Sequence, residues 1–296
     1  MAIVLGLLVA LFYGSGDFLG GLAAKRTAAI TVVIGSFGLS TVLVALTTLG
    51  WFAVGTPPTP AADDLWLGVA VGLTGPVAVA LLYRGLAMGR MSVVAPITAV
   101  VAAIVPLAWG LADGERPSTV ALVGVAVALV SVVLIAGAPE HADHPEDAAL
   151  APMSKVVPPA VLSGLGFGAI FVLLGSTSSH AGLWPLLVSR PLSVAATASV
   201  AFLLARRSGT DARTGIIPAR SAWPMVAGAG ILDISANALY LAATNAGLLS
   251  IVAVISSLYP AATVVLARVV LGERLHRVQV LGLALAAAGI AAIAAG

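Results

Sequence analysis

The stretch 66–83, WLGVAVGLTGPVAVALLY, returns at 223–240 as WPMVAGAGILDISANALY, with Trp66, Ala70 and Tyr83 matching Trp223, Ala227 and Tyr240 at a shift of 157 (223 − 66). Each copy approaches the roughly 20 mainly apolar residues that a helix needs to cross a bilayer. Working outward, Ser92, Val94, Ala95 and Ile97 match Ser250, Val252, Ala253 and Ile255 at a shift of 158 (250 − 92). The same shift pairs Gly114, Glu115 and Arg116 with Gly272, Glu273 and Arg274, and then Val120, Gly124 and Ala126 with Val278, Gly282 and Ala284. Trp, Tyr and Gly-Glu-Arg are not filler in a chain rich in Ala, Val and Gly, so the pattern reads as an internal duplication.

Of the 296 residues, 60% are hydrophobic and 9% charged, with a mean hydropathy of +1.11, against about 45–50% apolar and about 25% charged in a soluble domain. That excludes an ordinary water-soluble protein. With no Cys and four scattered His, the chain offers no disulfide framework, thiolate site or metal-ligand spacing. Neither a metal nor a cofactor is expected. A net charge of +2 is too small to mark a nucleic-acid-binding surface. No Gly-Lys-Ser/Thr element is present and no polar segment is long enough to house an ATPase, so no ATPase subunit is implied.

Apolar runs between charge and Pro/Gly breaks define ten candidate spans. They are Ala2 to Ala24, Thr31 to Val54, Leu65 to Leu86, Ser92 to Leu111, Ser118 to Gly137, Val156 to Gly175, Gly182 to Ala205, Ala222 to Thr244, Leu248 to Leu271 and Val278 to Ala295. The first lacks a basic n-region and runs past a usual h-region before Lys25 and Arg26, so it is not read as a cleavable signal peptide. Pro139 to Lys155 carries Glu140, Asp143, Glu146 and Asp147 among Pro and Ala and reads as a flexible acidic linker. The chain thus divides into a first five-helix repeat at 1–138, the linker at 139–155 and a second repeat at 156–296. Of the 14 basic residues, Arg116 alone falls in a loop of one side and Arg190 lies inside a span; the rest lie in or beside loops of the other side. Lys and Arg are retained in the cytoplasm during insertion. The expectation is a multi-pass protein of the cytoplasmic membrane with both termini outside.

Five is odd, so a second copy of five spans enters the membrane upside down relative to the first. Inverted repeats recur in secondary transporters, where two related halves exchange conformations and open a central site to each side in turn. The expected fold is an all-α polytopic membrane protein of ten transmembrane helices in two inverted five-helix repeats. An aromatic-Gly-x-x-x-Phe pattern in the first span (Tyr13, Gly14, Phe18) and Leu-Gly-Glu-Arg-Leu closing the ninth (Leu271 to Leu275) resemble the EamA-type transporters of the drug/metabolite transporter superfamily. The resemblance covers nearly the whole chain. It implies a central cavity between the halves and export or exchange of small metabolites such as amino acids, amines or drug-like compounds.

Twelve acids are present, and only Asp17 and Asp233 fall deep inside spans. An ionised carboxylate in hydrocarbon is costly, so such residues face a cavity or a partner. Burial disfavours the charged form of a carboxyl group, which lets it exchange protons near neutral pH and couple transport to a proton gradient. Gly14, Gly16, Gly20 and Gly21 surround Asp17, so a local cap or hinge is the alternative there. Asp233, Asn237, Tyr240 and Thr244 follow at i, i+4, i+7 and i+11, one polar face of a helix. That face serves either a substrate path or helix packing. Arg190 is the basic residue deep in a span, beside Ser189, Ser193, Thr197 and Pro191; its guanidinium suits a substrate carboxylate or an ion pair with Asp17 or Asp233. Tyr13 and, beside Pro260 and Ser257, Ser256 and Tyr259 complete the candidates, with Pro96 and Pro106 as further prolines that would free backbone carbonyls. Glu115-Arg116 and Glu273-Arg274 read as structural corners, Trp66 and Trp223 as interfacial anchors, and Gly68, Gly72, Gly282 and Gly289 as close helix contacts.

These readings converge on a secondary transporter, coupled to protons or run as an exchanger, that moves a small polar or amphipathic molecule. Uptake through the same fold is the alternative direction. An intramembrane enzyme is a second reading. It needs a convergent catalytic pair plus an activated water or metal, and the sequence offers two carboxylates on helices from different halves and no His inside any span. A non-transporting membrane scaffold is the third reading.

Overall fold

A backbone in hydrocarbon has no water to bond, so an apolar segment satisfies its N–H and C=O groups within itself. The computed structural model describes residues 1–55, 58–88, 91–136, 152–208, 217–270 and 276–296, and its regular structure is entirely helical. The helices are α1 (Ala2–Ala24), α2 (Ala29–Val54), α3 (Ala62–Met88), α4 (Met91–Ala112), α5 (Thr119–Ala136), α6 (Met153–Gly175), α7 (Trp184–Ser208), α8 (Trp223–Thr244), α9 (Leu249–Ser256), α10 (Tyr259–Val270) and α11 (Arg277–Ala295). Among the described residues eight segments are long and apolar enough to cross a membrane, one of them formed by α9 and α10 together. Two shorter apolar stretches, Ile97–Ala112 and Thr119–Ile135, lie in α4 and α5. Most of the acidic linker and the Leu271 to Leu275 motif, with Glu273 and Arg274, lie outside the described residues.

The ninth apolar run, expected as one helix from Leu248 to Leu271, is broken. Pro260 has no N–H, and its ring collides with the carbonyl four residues back, which belongs to Ser256. Helix α9 ends at that residue, and α10 starts afresh at Tyr259 with Pro260 in its first turn. Pro76 and Pro191 sit within α3 and α7, which run on without a break.

The packing partners come largely from opposite halves. Helix α1 lies against α8, α9 and α10, and α6 against α3 and α4; α2 lies against α7 and α8, α3 against α7, α4 against α9, and α5 against α11. In the last pair, Cβ atoms added at Gly124 and Gly289 would stand 2.7 and 2.9 Å from each other's carbonyl oxygens. Two crossings beside the centre share one design. Ser40 Oγ donates to the Gly230 carbonyl at 2.8 Å, and Ser193 Oγ donates to the Gly72 carbonyl at 2.9 Å. Gly230 sits on the backbone of Ser36, and Gly72 on that of Ser189. Ser36 and Ser189 each donate back to the carbonyl three residues earlier, on Val33 and Leu186. These residues of α2 and α7 correspond at an offset of 153 (193 − 40).

One rim carries two carboxylate clasps. The Glu115 carboxylate accepts from the Leu249 and Ser250 amides at 2.7 and 3.0 Å, meeting the otherwise unpaired N–H groups at the start of α9. Gly114, at φ +96°, makes the turn that delivers it. Asp64 accepts from the Ala61 amide at 2.9 Å and from the amide and hydroxyl of Ser178 at 2.7 and 2.8 Å, tying α3 to the loop after α6.

A methyl group at Gly230 would stand 2.5 Å from the Ser36 carbonyl oxygen, whereas one at Gly38 meets nothing within 4 Å. Gly230→Ala is expected to cost about 1–3 kcal/mol by overpacking. Gly38→Ala is expected to be neutral or to stabilise by up to about 1 kcal/mol, through helix propensity. Thermal unfolding of the two variants in detergent checks the contrast.

Candidate functional site

Arg190 projects from α7 between Ser189 and Ser193, the second of which fastens this helix to α3, and only 4% of it is exposed. Its Nη2 lies 2.7 Å from Oδ2 of Asp233 on α8. Asn237, one turn further along α8, donates through Nδ2 to the Asp233 carbonyl at 2.7 Å and to Oδ1 at 3.3 Å. The guanidinium also lies over the ring of Phe37 on α2, with Cζ 4.8 Å from the ring centroid. Arg190 Nε has no hydrogen-bond partner among the described residues. Charges taken out of water lose several kcal/mol of hydration each, and their attraction repays this only with good geometry and further hydrogen bonds. Asn237 and Phe37 supply those supports.

These four residues line a cavity that Tyr13 of α1, Gly75 and Val79 of α3 and Phe167 and Ile170 of α6 also wall. Six helices from both halves therefore reach one point. The cavity is small, with room for about one water.

Below it lies an aromatic stack. The rings of Tyr13 and Phe171 are 6.0 Å apart at 54°, and those of Phe171 and Tyr240 are 4.7 Å apart and nearly parallel. Tyr240 Oη donates to the Phe171 carbonyl at 3.1 Å, joining α8 to α6. The stripe read along α8 therefore divides: Asp233 and Asn237 reach the cavity, Tyr240 sits beneath the wall, and Thr244 bonds back to its own helix at the Tyr240 carbonyl.

Asp17 does not join Arg190. It is half-buried on α1, one turn beyond Tyr13 and within Coulombic reach of Asp233. Gly20, three residues on and thus on the same face, lies directly against the Tyr83 hydroxyl. Ser256 and Tyr259 flank the break between α9 and α10, where both hydroxyls are buried and without a partner among the described residues. There α1 and α10 touch at Gly14, whose carbonyl accepts from Thr263 Oγ1 at 3.0 Å.

The sequence reading passed over Phe37, Phe167 and Ile170, which look like lipid-facing or core residues in an apolar run, and Asp64, which looks like a loop acid. The spacing of Ser36 and Ser40 against Ser189 and Ser193 holds the signal for Phe37, because it pairs Phe37 with Arg190.

Helices of this number, length and apolarity define an integral multi-pass membrane protein. The chain belongs to the EamA-like transporter family, a drug/metabolite transporter superfamily domain, which matches it twice, over residues 1–137 and 155–295. Its interaction partners are accordingly the lipid bilayer and a small-molecule substrate. No curated protein matches the chain. One solved structure, described only as "Crystal structure of protein", superposes with a TM-score of 0.69 over 99% of this chain and 98% of its own, at 16% sequence identity. At that identity the likeness concerns the fold alone.

Arg190→Ala leaves Asp233 buried without its cation and is expected to cost about 3–5 kcal/mol. The double variant Arg190→Met/Asp233→Leu removes both charges and is expected to regain most of that stability. Unfolding of wild type, single and double variants in the same detergent measures the difference.

Proposed function

We propose that this protein is a secondary active transporter that exports or exchanges a small polar or amphipathic metabolite by alternating access. The observation that carries this reading is the Arg190–Asp233 pair, held by Asn237 and facing a contracted cavity at the meeting point of six helices. A two-pronged guanidinium and a carboxylate bind complementary groups of a substrate while bonding each other in its absence. Substrate therefore competes with the internal pair, and a zwitterionic substrate leaves the site neutral overall whether empty or occupied.

The matched crossings α2–α8 and α3–α7, together with the paired contacts α1–α8 and α3–α6, support a ten-span arrangement of two inverted repeats divided at 139–155. The segments Ala2–Ala24, Ala29–Ala53, Ala62–Leu86 and Leu249–Val270 are among those that would alternate in direction. With both termini outside, as the Lys and Arg distribution favours, the rim bearing the Glu115 and Asp64 clasps is the outer one, and those clasps hold it shut. Asp233 and Asp17 are the residues proposed to exchange protons. Asp17 stands apart from the ion pair yet within electrostatic range of it, so substrate at Arg190–Asp233 and a proton at Asp17 sense one another. Tyr13 walls the site, Tyr240 fixes its floor, and Ser256 and Tyr259 serve the movement of the broken ninth span.

Proteoliposomes on a solid-supported membrane, screened with amino acids, amines and organic cations with and without a pH gradient, test the reading. Asp233→Asn is expected to abolish the substrate-induced current. Asp17→Asn is expected to abolish its dependence on the pH gradient while leaving radiolabelled counterflow of the same compound. Wild-type rates in Asp17→Asn, Asp233→Asn and Arg190→Ala, all folded and inserted, would refute the assignment.

A further inference from the structure

Phe37 is the residue of the site whose role neither composition nor charge suggests. It is 2% exposed, and its ring faces the guanidinium of Arg190 at 4.8 Å. Its position is fixed from both sides. Ser36 bonds back to Val33, and Ser40 clamps α2 to Gly230 on α8, three residues before Asp233. The ring thus sits on a helix fastened to the one that carries the carboxylate, while Arg190 sits on α7, which Ser193 clamps to α3. Among the described residues Arg190 has one ionic partner, Asp233, and its Nε has no hydrogen bond. A guanidinium that lost that carboxylate to competition from substrate would leave the cavity for a wetter place unless something else held it.

We propose that Phe37 is the positioning residue for Arg190: its ring face retains the guanidinium in the cavity while Asp233 releases it to substrate. The attraction between a cation and the face of an aromatic ring needs no counter-charge and no water. A weakly hydrated, planar guanidinium stacks on such a face better than an ammonium does. The ring leaves the polar edge of the guanidinium open to an incoming anionic group, which a second carboxylate in the same place would block. This inference rests on the reading of Arg190 as a substrate-site residue, and its test does not depend on transport.

The test uses phenylglyoxal, an arginine-directed reagent, on the full chain in proteoliposomes, with modification of Arg190 followed by peptide mass spectrometry. Asp233→Asn supplies the background in which the carboxylate no longer holds the arginine. Adding Phe37→Leu to it is expected to speed modification of Arg190 by about fivefold or more, as loss of a desolvated cation–π contact implies. Adding Phe37→Tyr instead, which keeps the ring face, is expected to leave the rate within about twofold of Asp233→Asn alone. In the presence of Asp233 the leucine effect is expected to be smaller, because the two partners back each other up. Equal rates for the leucine and tyrosine variants, fast or slow, overturn the proposal, as does a leucine effect independent of Asp233. A silent transport screen beside the expected labelling pattern would remove the transporter reading and leave the positioning role standing.

Discussion

Two serine hydroxyls, each donating to a glycine carbonyl on a neighbouring helix, set the spacing on which the rest of the molecule depends. In hydrocarbon there is little hydrophobic force between helices, so association relies on close packing and on hydrogen bonds across the contact. Glycine lets the backbones meet, and serine supplies the bond. The consequence reaches the site directly. Gly230 brings α8 against α2 and so sets Asp233, nearly one turn on, beside the layer of Phe37. Gly72 does the same for α3 and α7 and sets Gly75 opposite the layer of Arg190. A cavity with one carboxylate, one guanidinium and one bare backbone patch follows from where the two crossings fall.

The ion pair at this point is a poor device for stability and a suitable one for a binding site. Hydrophobic residues of equal volume would pack α7 against α8 at least as well, since buried pairs often fail to repay their desolvation. On the proposed reading, what the pair provides is a local interaction made when the cavity is empty and transferable when it is occupied. Its supports are graded accordingly. Asn237 bonds the carboxylate, Phe37 faces the guanidinium, and the stack of Tyr13, Phe171 and Tyr240 gives them a rigid floor.

The helical architecture was legible because membrane spans are written in composition: long uncharged runs end where charge or proline begins. Arg190, Asp233 and Asn237 were legible for the converse reason, since polar groups in such runs need a partner. The pairing of Arg190 with Asp233 rather than Asp17 was not legible, because a helix presents its side chains around a full circle and sequence fixes only their relative angles. The break at Ser256 was written in Pro260 but hidden by an unbroken apolar run around it. The kinship of α2 and α7 escaped self-comparison because it runs at an offset of 153, whereas the neighbouring segments run at 157 and 158. Connections of unequal length on either side of α7 shift the register, and Phe37, with no polar atom, gave no signal of its own.

Phe37 and Arg190 occupy the same place in their respective helices and touch each other, which puts them on the local two-fold axis relating the proposed halves. Between two identical chains a residue on such an axis always meets its own copy. Two copies of the first half would bring Phe37 against Phe37 and leave the centre without a cation. Two copies of the second would force Arg190 against Arg190, like charges in a dry place. One polypeptide carrying both halves escapes that constraint, because its two axial residues are free to differ. With the halves related as proposed, the difference at this one pair of positions makes a contact polar that two identical halves would make symmetric, and the halves are not interchangeable at that point.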